Sequence, residues 1–318
     1  MSALQSETLK LFEPMKFTLT QILKSDDNTT LKNSPSSLAE KATNESESSS
    51  LVWHEKNSNY SLTKGLHNLG NTCYLNSVLQ ILTNTPIFPN KKEQEEHTLS
   101  EKHKCELIGP NRICFTCECL KLSKDLRSKI IAPTFIVDNL KHLNKRFSKN
   151  KQQDSHEFYL LLLNKLDQQL KKPFTGIVTS NVKCKSNHIS TTNEEFLNLT
   201  LEIAQVGNIQ NALKRYFSES GIIKSYLCFP CNKKVDITKK YDWKVMPNYL
   251  VLHLNRFDRF ANKIGTHIDF DLQTQINGVD YILYGIVEHL GSSIDFGHYV
   301  AYVMNSDKIW HKVSLLDE

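Results

Sequence analysis

Gly65-Leu66-His67-Asn68-Leu69-Gly70-Asn71-Thr72-Cys73-Tyr74-Leu75-Asn76-Ser77-Val78-Leu79-Gln80 is the stretch whose reading decides the fold. Gly70-Asn71-Thr72 has the composition of a turn, and beyond it the pattern becomes helical. Leu75, Val78, Leu79 and Leu82 repeat at i, i+3, i+4 and i+7, Asn71 or Thr72 is placed to cap the helix, and Pro86 closes it. Cys73 therefore falls in the first helical turn, where the positive end of the helix dipole favours a thiolate and is expected to lower the pKa from roughly 8.5. A thiolate is a competent nucleophile toward an amide carbonyl. The competing reading of Cys73 is a small buried residue that packs the start of a helix.

Outward from this stretch, a second helix is expected from Asp154 or Ser155, carrying Phe158, Leu161, Leu162 and Leu166 before Pro173. After Gly176 the pattern turns mostly to strand. Tyr249–Phe257, Tyr281–His289 and His298–Met304 are rich in β-branched and aromatic residues and bounded by turn residues. A helical half followed by a sheet-rich half predicts an α+β fold. Upstream, Asp26 to Tyr60 is rich in Ser, Asn, Thr, Lys and Glu without an apolar period, a composition expected to stay disordered. Leu9 to Leu23 has the spacing of a short amphipathic helix. The folded domain is expected to span 65–318, with 1–64 as a tail.

Charge and composition exclude several classes. The 318 residues carry 39 Lys and Arg against 34 Asp and Glu, a net charge of +5 that is too mild to imply nucleic-acid binding. The densest basic run, Lys141 to Lys151, reads as a solvated face. No window approaches the roughly 18 apolar residues of a membrane span, and the amino-terminal residues hold no apolar signal core. An intracellular chain, cytoplasmic or nuclear, is expected. Its eight cysteines then read as thiols, metal ligands or nucleophiles rather than disulfides.

A Cys73 nucleophile needs a base, and His298 is the best placed of the twelve histidines. It opens a strongly β segment directly after Phe296-Gly297, where a glycine turn can bring the ring to a sheet edge facing a cleft.

The opening stretch closely resembles the cysteine box of the ubiquitin-specific proteases, papain-like deubiquitinases. The resemblance recurs in family order through Gln152-Gln153-Asp154-Ser155-His156-Glu157-Phe158, Leu250-Val251-Leu252-His253-Leu254-Asn255-Arg256-Phe257 and Gly297-His298-Tyr299-Val300-Ala301-Tyr302. It implies a thumb over about 65–172, with fingers and palm over about 173–318. It also implies ubiquitin and ubiquitinated proteins as partners, with no cofactor needed for the chemistry. By resemblance, Cys73 would form a thioester with the carboxyl-terminal glycine of ubiquitin and His298 would be its acid and base. Asn68 would help bind the oxyanion, Asp154 and Glu157 would receive the arginine-containing tail, and Tyr299 would line the tail channel. Helix capping is the competing role for the two carboxylates.

Three departures from the family pattern stand out. Trp310-His311-Lys312-Val313-Ser314 puts a serine at the third catalytic position, usually Asp or Asn, as in a minority of the family. A serine can orient the imidazole but cannot stabilise imidazolium as a carboxylate does; Asp307 and Asp317 are off-register substitutes. The family usually continues with a further aromatic-rich strand beyond this region, so the palm sheet is expected to be one strand short or the chain incomplete. In the fingers, Cys228-Phe229-Pro230-Cys231 is an intact ligand pair, whereas Cys184 is followed by Asn187 where its partner cysteine would stand, with His188 adjacent. Cys184, His188, Cys228 and Cys231 form a candidate structural zinc set, against fingers that fold without metal. His103, Cys105, Cys114, Cys117 and Cys119 form a second candidate cluster in the thumb. Two other functions remain open on the sequence alone: a catalytically weak or inactive ubiquitin-binding protein, and a protease for a ubiquitin-like modifier.

Overall fold

The computed structural model describes residues 17–24 as backbone and residues 64–88, 113–293, 296–304 and 309–313 in full. The first helix, α1 (Cys73–Asn84), forms where the apolar period placed it. Gly70 and Asn71 both take positive φ, +87° and +50°, and turn the chain into it; glycine does so at no steric cost and asparagine at little. The Asn71 amide also donates to the Asn150 carbonyl at 3.0 Å.

Nearly all of α1 is buried, because it lies between the other thumb helices and a sheet. Its polar residues are buried with it and reach the strand-like approach to the helix. Asn76 Nδ2 donates to the His67 carbonyl at 3.0 Å and Gln80 Nε2 to the Lys64 carbonyl at 3.2 Å. The remaining thumb helices are α2 (Phe115–Asp125), α3 (Thr134–Asp138), α4 (Leu140–Leu143), α5 (Ser155–Leu163) and α6 (Gln168–Lys171). Helix α5 starts as expected, with Asp154 Oδ1 accepting from the Glu157 N–H at 2.7 Å. It stops at Leu163 instead of running on to Pro173, and α6 follows as a separate turn.

Two sheets follow. The fingers are a four-stranded antiparallel sheet ordered β3-β2-β6-β5, from β2 (Gly176–Cys184), β3 (Ile189–Phe196), β5 (Ile223–Cys228) and β6 (Lys233–Val245). The palm contains β1 (Phe17–Lys24), β4 (Leu199–Glu202), β7 (Tyr249–Asn255), β8 (Gln273–Ile276), β9 (Val279–Leu290), β10 (His298–Met304) and β11 (Trp310–Val313). Its order is β11-β10-β9-β1-β7-β4, with β8 on the flank of β9.

Successive residues of the palm strands enter different cores, as the two-residue period requires. Tyr249 and Val251 of β7, with Ala301 and Val303 of β10, join the thumb core around α1. Leu250, Leu252, Leu254, Val300 and Tyr302 join a second core on the far face with α7 (Ile209–Tyr216). Helix α1 lies so close to β9 that a Cβ on Gly285 would sit 2.6 Å from Ile81 Cγ2. Among the described residues, no helix is long and apolar enough to cross a membrane.

The strand β1 departs from the sequence-based expectation. Residues 9–23 have helical spacing and fall in the expected tail, yet Phe17–Lys24 is a strand between β7 and β9, antiparallel to both. Thr20 pairs with Leu252 on one side and Ile286 on the other. The physical reason is tertiary. The facing edges of β7 and β9 present a double row of backbone donors and acceptors, and pairing with both outweighs a weak local preference for helix. The residues from 26 to 60, expected to be disordered, lie outside those described.

Thr20→Pro removes a donor from the middle of this ladder. It is expected to lower the free energy of unfolding by about 2 kcal/mol, the scale of one buried partner left unpaired, in denaturant titration. An unchanged transition would show that β1 contributes nothing to the sheet.

Candidate active site

Cys73 is the first residue of α1 and is 4% exposed. Its thiol pKa is raised, because burial outweighs the backbone N–H groups of Tyr299, Tyr74 and Cys73 that face the sulfur. The helix dipole alone would lower it, as the sequence pattern predicts, but burial acts in the opposite direction and wins. The cavity beside the thiol, lined by Leu66, Asn76, Gln80, Tyr299 and Val313, is about 10 Å³, close to the space of a single water.

Asn68 lies just before the helix and is exposed. Its Oδ1 accepts from the Thr72 N–H at 3.3 Å and from the Thr72 hydroxyl at 2.9 Å, and that hydroxyl accepts from the Leu69 N–H at 3.0 Å. With the oxygen so engaged, the NH₂ is the end of the side chain left to donate elsewhere.

His298 is the first residue of β10, the strand against which α1 packs, and it pairs with Leu290. The next residue, Tyr299, carries the N–H that faces Cys73, so the strand brings His298 to within one residue of the thiol. The Tyr299 phenol crosses to the thumb, where the Ser155 N–H at the start of α5 donates to it. Burial, then the Asp154 carboxylate, push its pKa well up. Asp154 and Glu157 are both exposed beside this crossing. Asp154 caps α5 and Glu157 accepts from Asn144 Nδ2 at 2.9 Å, so their structural roles are realised while both keep free carboxylate oxygen capacity. Ser314, Asp307 and Asp317 lie outside the described residues. Val313, at the end of β11 and paired with Ala301, reaches the Cys73 cavity.

Two histidine clusters next to this site were not anticipated. His289, paired with Tyr299 across the ladder, is 4% exposed and its ring lies 4.8 Å from the Tyr299 ring. Burial and then the Lys263 ammonium push its pKa down to about 4. Lys263 Nζ sits 3.2 Å from His289 Nδ1 and donates to the His289 carbonyl at 2.8 Å. A protonated Lys263 makes Nδ1 the acceptor and leaves the imidazole proton on Nε2. His156 of α5 and His253 of β7 stack with centroids 3.7 Å apart and planes within 10°. Burial and then His156 hold His253 at about 3, and burial lowers His156 against the pull of Asp154. His156 and His253 stood in the quoted motifs, but pairing across two elements leaves no local signal. Lys263 and His289 are likewise joined only by the fold.

In the fingers, the four expected metal ligands converge. Cys184, His188, Cys228 and Cys231 place their ligand atoms within 4.8 Å of one another. His188 Nδ1 lies 3.6, 3.7 and 3.2 Å from the sulfurs of Cys184, Cys228 and Cys231, and the Cys184 and Cys231 sulfurs are 3.9 Å apart. Tetrahedral zinc with bonds of about 2.3 Å to sulfur and 2.0 Å to nitrogen requires edges of about 3.5–3.8 Å, so the set fits. The departure at Asn187 is accommodated locally. It takes φ +61° at the tip of the β2-β3 hairpin, which the Cys184 N–H closes onto the His188 carbonyl at 3.1 Å, and His188 supplies the ligand instead.

In the thumb cluster, Cys114 caps α2 and accepts from the Cys117 N–H at 3.4 Å, while Cys119 is buried in the thumb core. His103 and Cys105 lie outside the described residues.

Comparison with known proteins gives a consistent result. Residues 64–315 match the family model described as ubiquitin carboxyl-terminal hydrolase. The chain is 30% identical over 307 residues to ubiquitin carboxyl-terminal hydrolase 23 of Arabidopsis thaliana, covering 84% of this chain and 35% of that protein. It is 28% identical over 299 residues to human ubiquitin carboxyl-terminal hydrolase 42, covering 85% of this chain and 22% of that protein. The chain thus spans about a third or less of these relatives. Its fold is similar to the SAGA Ubp8/Sgf11/Sus1/Sgf73 DUB module bound to ubiquitin aldehyde, with a TM-score of 0.67 and 25% identity over 80% of this chain and 65% of that one.

Elemental analysis of the purified protein should find about one zinc per chain, reduced by Cys231→Ser and by His188→Ala; zinc at background in the parent protein excludes the site. The stacked histidines predict an acid-sensitive fold. Both are held below the ordinary value of about 6.5, so the unfolded chain binds protons first as pH falls. Their contribution is complete above pH 6.5 and is lost toward pH 3, with a slope of up to about 1.4 kcal/mol per pH unit for each ring. His253→Asn should flatten the fall of the unfolding midpoint between pH 7 and 5, and an unaltered slope would remove the pair as its cause.

Proposed function

Because the chain belongs to the ubiquitin carboxyl-terminal hydrolase family, we propose that it is a cysteine deubiquitinase cutting the isopeptide bond after the carboxyl-terminal glycine of ubiquitin. One observation carries this reading: the start of α1 and the start of β10 meet at a single point, with the Tyr299 N–H on the Cys73 thiol and His298 next in the chain.

In this mechanism Cys73 attacks the glycine carbonyl and the lysine amine leaves, protonated by His298, with a thioester remaining. Water activated by His298 then attacks the thioester and frees the tail carboxylate and the thiol. The raised thiol pKa makes the base essential, because burial holds Cys73 neutral until a partner takes its proton. The Asn68 NH₂ is the side-chain donor for the oxyanion, with backbone N–H groups at the start of α1 beside it. Asp154 and Glu157 are placed to receive an arginine of the incoming tail, and Tyr299 forms a wall of its path. Ser314, four residues beyond Trp310, is assigned to orienting His298 and not to balancing its charge. The zinc set would brace the fingers that hold the body of ubiquitin; when bound, the ion supplies structure and takes no part in the cleavage.

An electrophilic ubiquitin probe should label the protein at Cys73, with labelling abolished in Cys73→Ala. Asn68→Ala should reduce kcat/KM about 100-fold and Ser314→Ala should lower kcat. Ubiquitin binding without labelling would overturn the hydrolase reading, and labelling only by the probe of another modifier would overturn its substrate.

A further inference from the structure

Gly297, the residue immediately before His298, is held from the other side of the cleft. Gln152 Nε2 donates to the Gly297 carbonyl at 2.8 Å and Gln152 Oε1 accepts from the Gly297 N–H at 3.2 Å. One primary amide thus satisfies both backbone groups of a single residue, as a neighbouring strand would, but from the thumb onto the palm. We propose that Gln152 is a positioning residue: its amide clamps the Gly297 backbone and thereby sets where His298 stands relative to Cys73. The inference rests on the assignment of His298 as the base.

The need for a clamp follows from the residue being clamped. Glycine has the widest backbone freedom of any residue, and here it directly precedes the group that must be aimed. Position 297 cannot carry a side chain, because a Cβ there would collide with His289 Nε2 and the Leu290 carbonyl. No side chain of its own can therefore fix this point of the chain. His289 is itself held by Lys263, so the wall behind Gly297 is firm while the front is closed by Gln152 alone among the hydrogen bonds described for Gly297. The Gly297 carbonyl belongs to the same peptide unit as the His298 nitrogen. Fixing that carbonyl, with Leu290 pairing His298 on the ladder, sets the base of the His298 side chain from two directions.

The placement of Gln152 has a second consequence. It stands two residues before Asp154, so the segment that would grip the tail also holds the base. Tail entry and alignment of the base are thereby coupled through three consecutive thumb residues.

The test compares Gln152→Ala with Gln152→Glu, which keeps the shape but turns the donor into a second oxygen facing the Gly297 carbonyl. Cleavage of a fluorogenic ubiquitin conjugate should show kcat lowered about 10- to 100-fold in both variants, the scale of a catalytic group displaced by about an ångström, with KM within about 2-fold. Hydrogen exchange at the Gly297 amide should rise in Gln152→Ala, which loses the acceptor of that N–H, and the thermal midpoint of both variants should stay near that of the parent. Parent-like kcat in either variant, or a loss confined to KM, overturns the proposal; the latter would make Gln152 a contact of the tail. A parent protein inactive on ubiquitin sinks the functional reading instead. The Gly297 exchange rate then decides alone, and an unaltered rate in Gln152→Ala overturns the clamp.

Discussion

The packing of α1 onto the palm is the constraint from which the rest follows. Ile81 sits where a Cβ of residue 285 would be, so the helix approaches the sheet at backbone range and its first turn comes level with the start of β10. A side chain at position 285 would meet the Ile81 side chain, so glycine there lets the helix pack closely on β9. The same closeness buries both flanks of α1, which is why its polar residues carry internal hydrogen bonds and why the thiol is desolvated. Nucleophile placement and nucleophile pKa are two results of one contact.

That contact also explains the division of labour around the cleft. The palm brings His298, Tyr299 and the wall formed by His289 and Lys263, all on β9, β10 or the loop packed on them. The thumb brings Cys73, Asn68, Gln152 and the two carboxylates. Gln152 to Gly297 and Ser155 to Tyr299 are two of the hydrogen bonds that join thumb and palm. Beneath these bonds, α1 and the palm strands share one hydrophobic core, which holds the two halves of the site together.

What could be read from the sequence was local in origin. The α1 period, the Asp154 cap and the three long palm strands depend on neighbours a few residues away, and each appeared close to its expected limits. Cys73, Asn68, Asp154, Glu157, His298 and Tyr299 could be singled out because they stand in four ordered motifs, and the zinc set because cysteine spacing and an adjacent histidine survive a displaced ligand. Features created by distant packing left no such trace. The sign of the Cys73 shift depends on burial beneath β10, the Lys263–His289 contact joins a loop to a strand, and Gln152 finds Gly297 only across the cleft. Strand β1 was the largest omission, since helical spacing over residues 9–23 carries no information about an open slot between β7 and β9.

The location of β1 bears on how the protein is made. It precedes in sequence both of the strands that flank it, with the thumb and the fingers lying between. Until β9 is synthesised, β7 has a bare edge and the early segment has nowhere to dock. Closure of the palm sheet is thus an obligatory late event of high contact order, which slows folding and lengthens the interval in which an unpaired edge is open to aggregation.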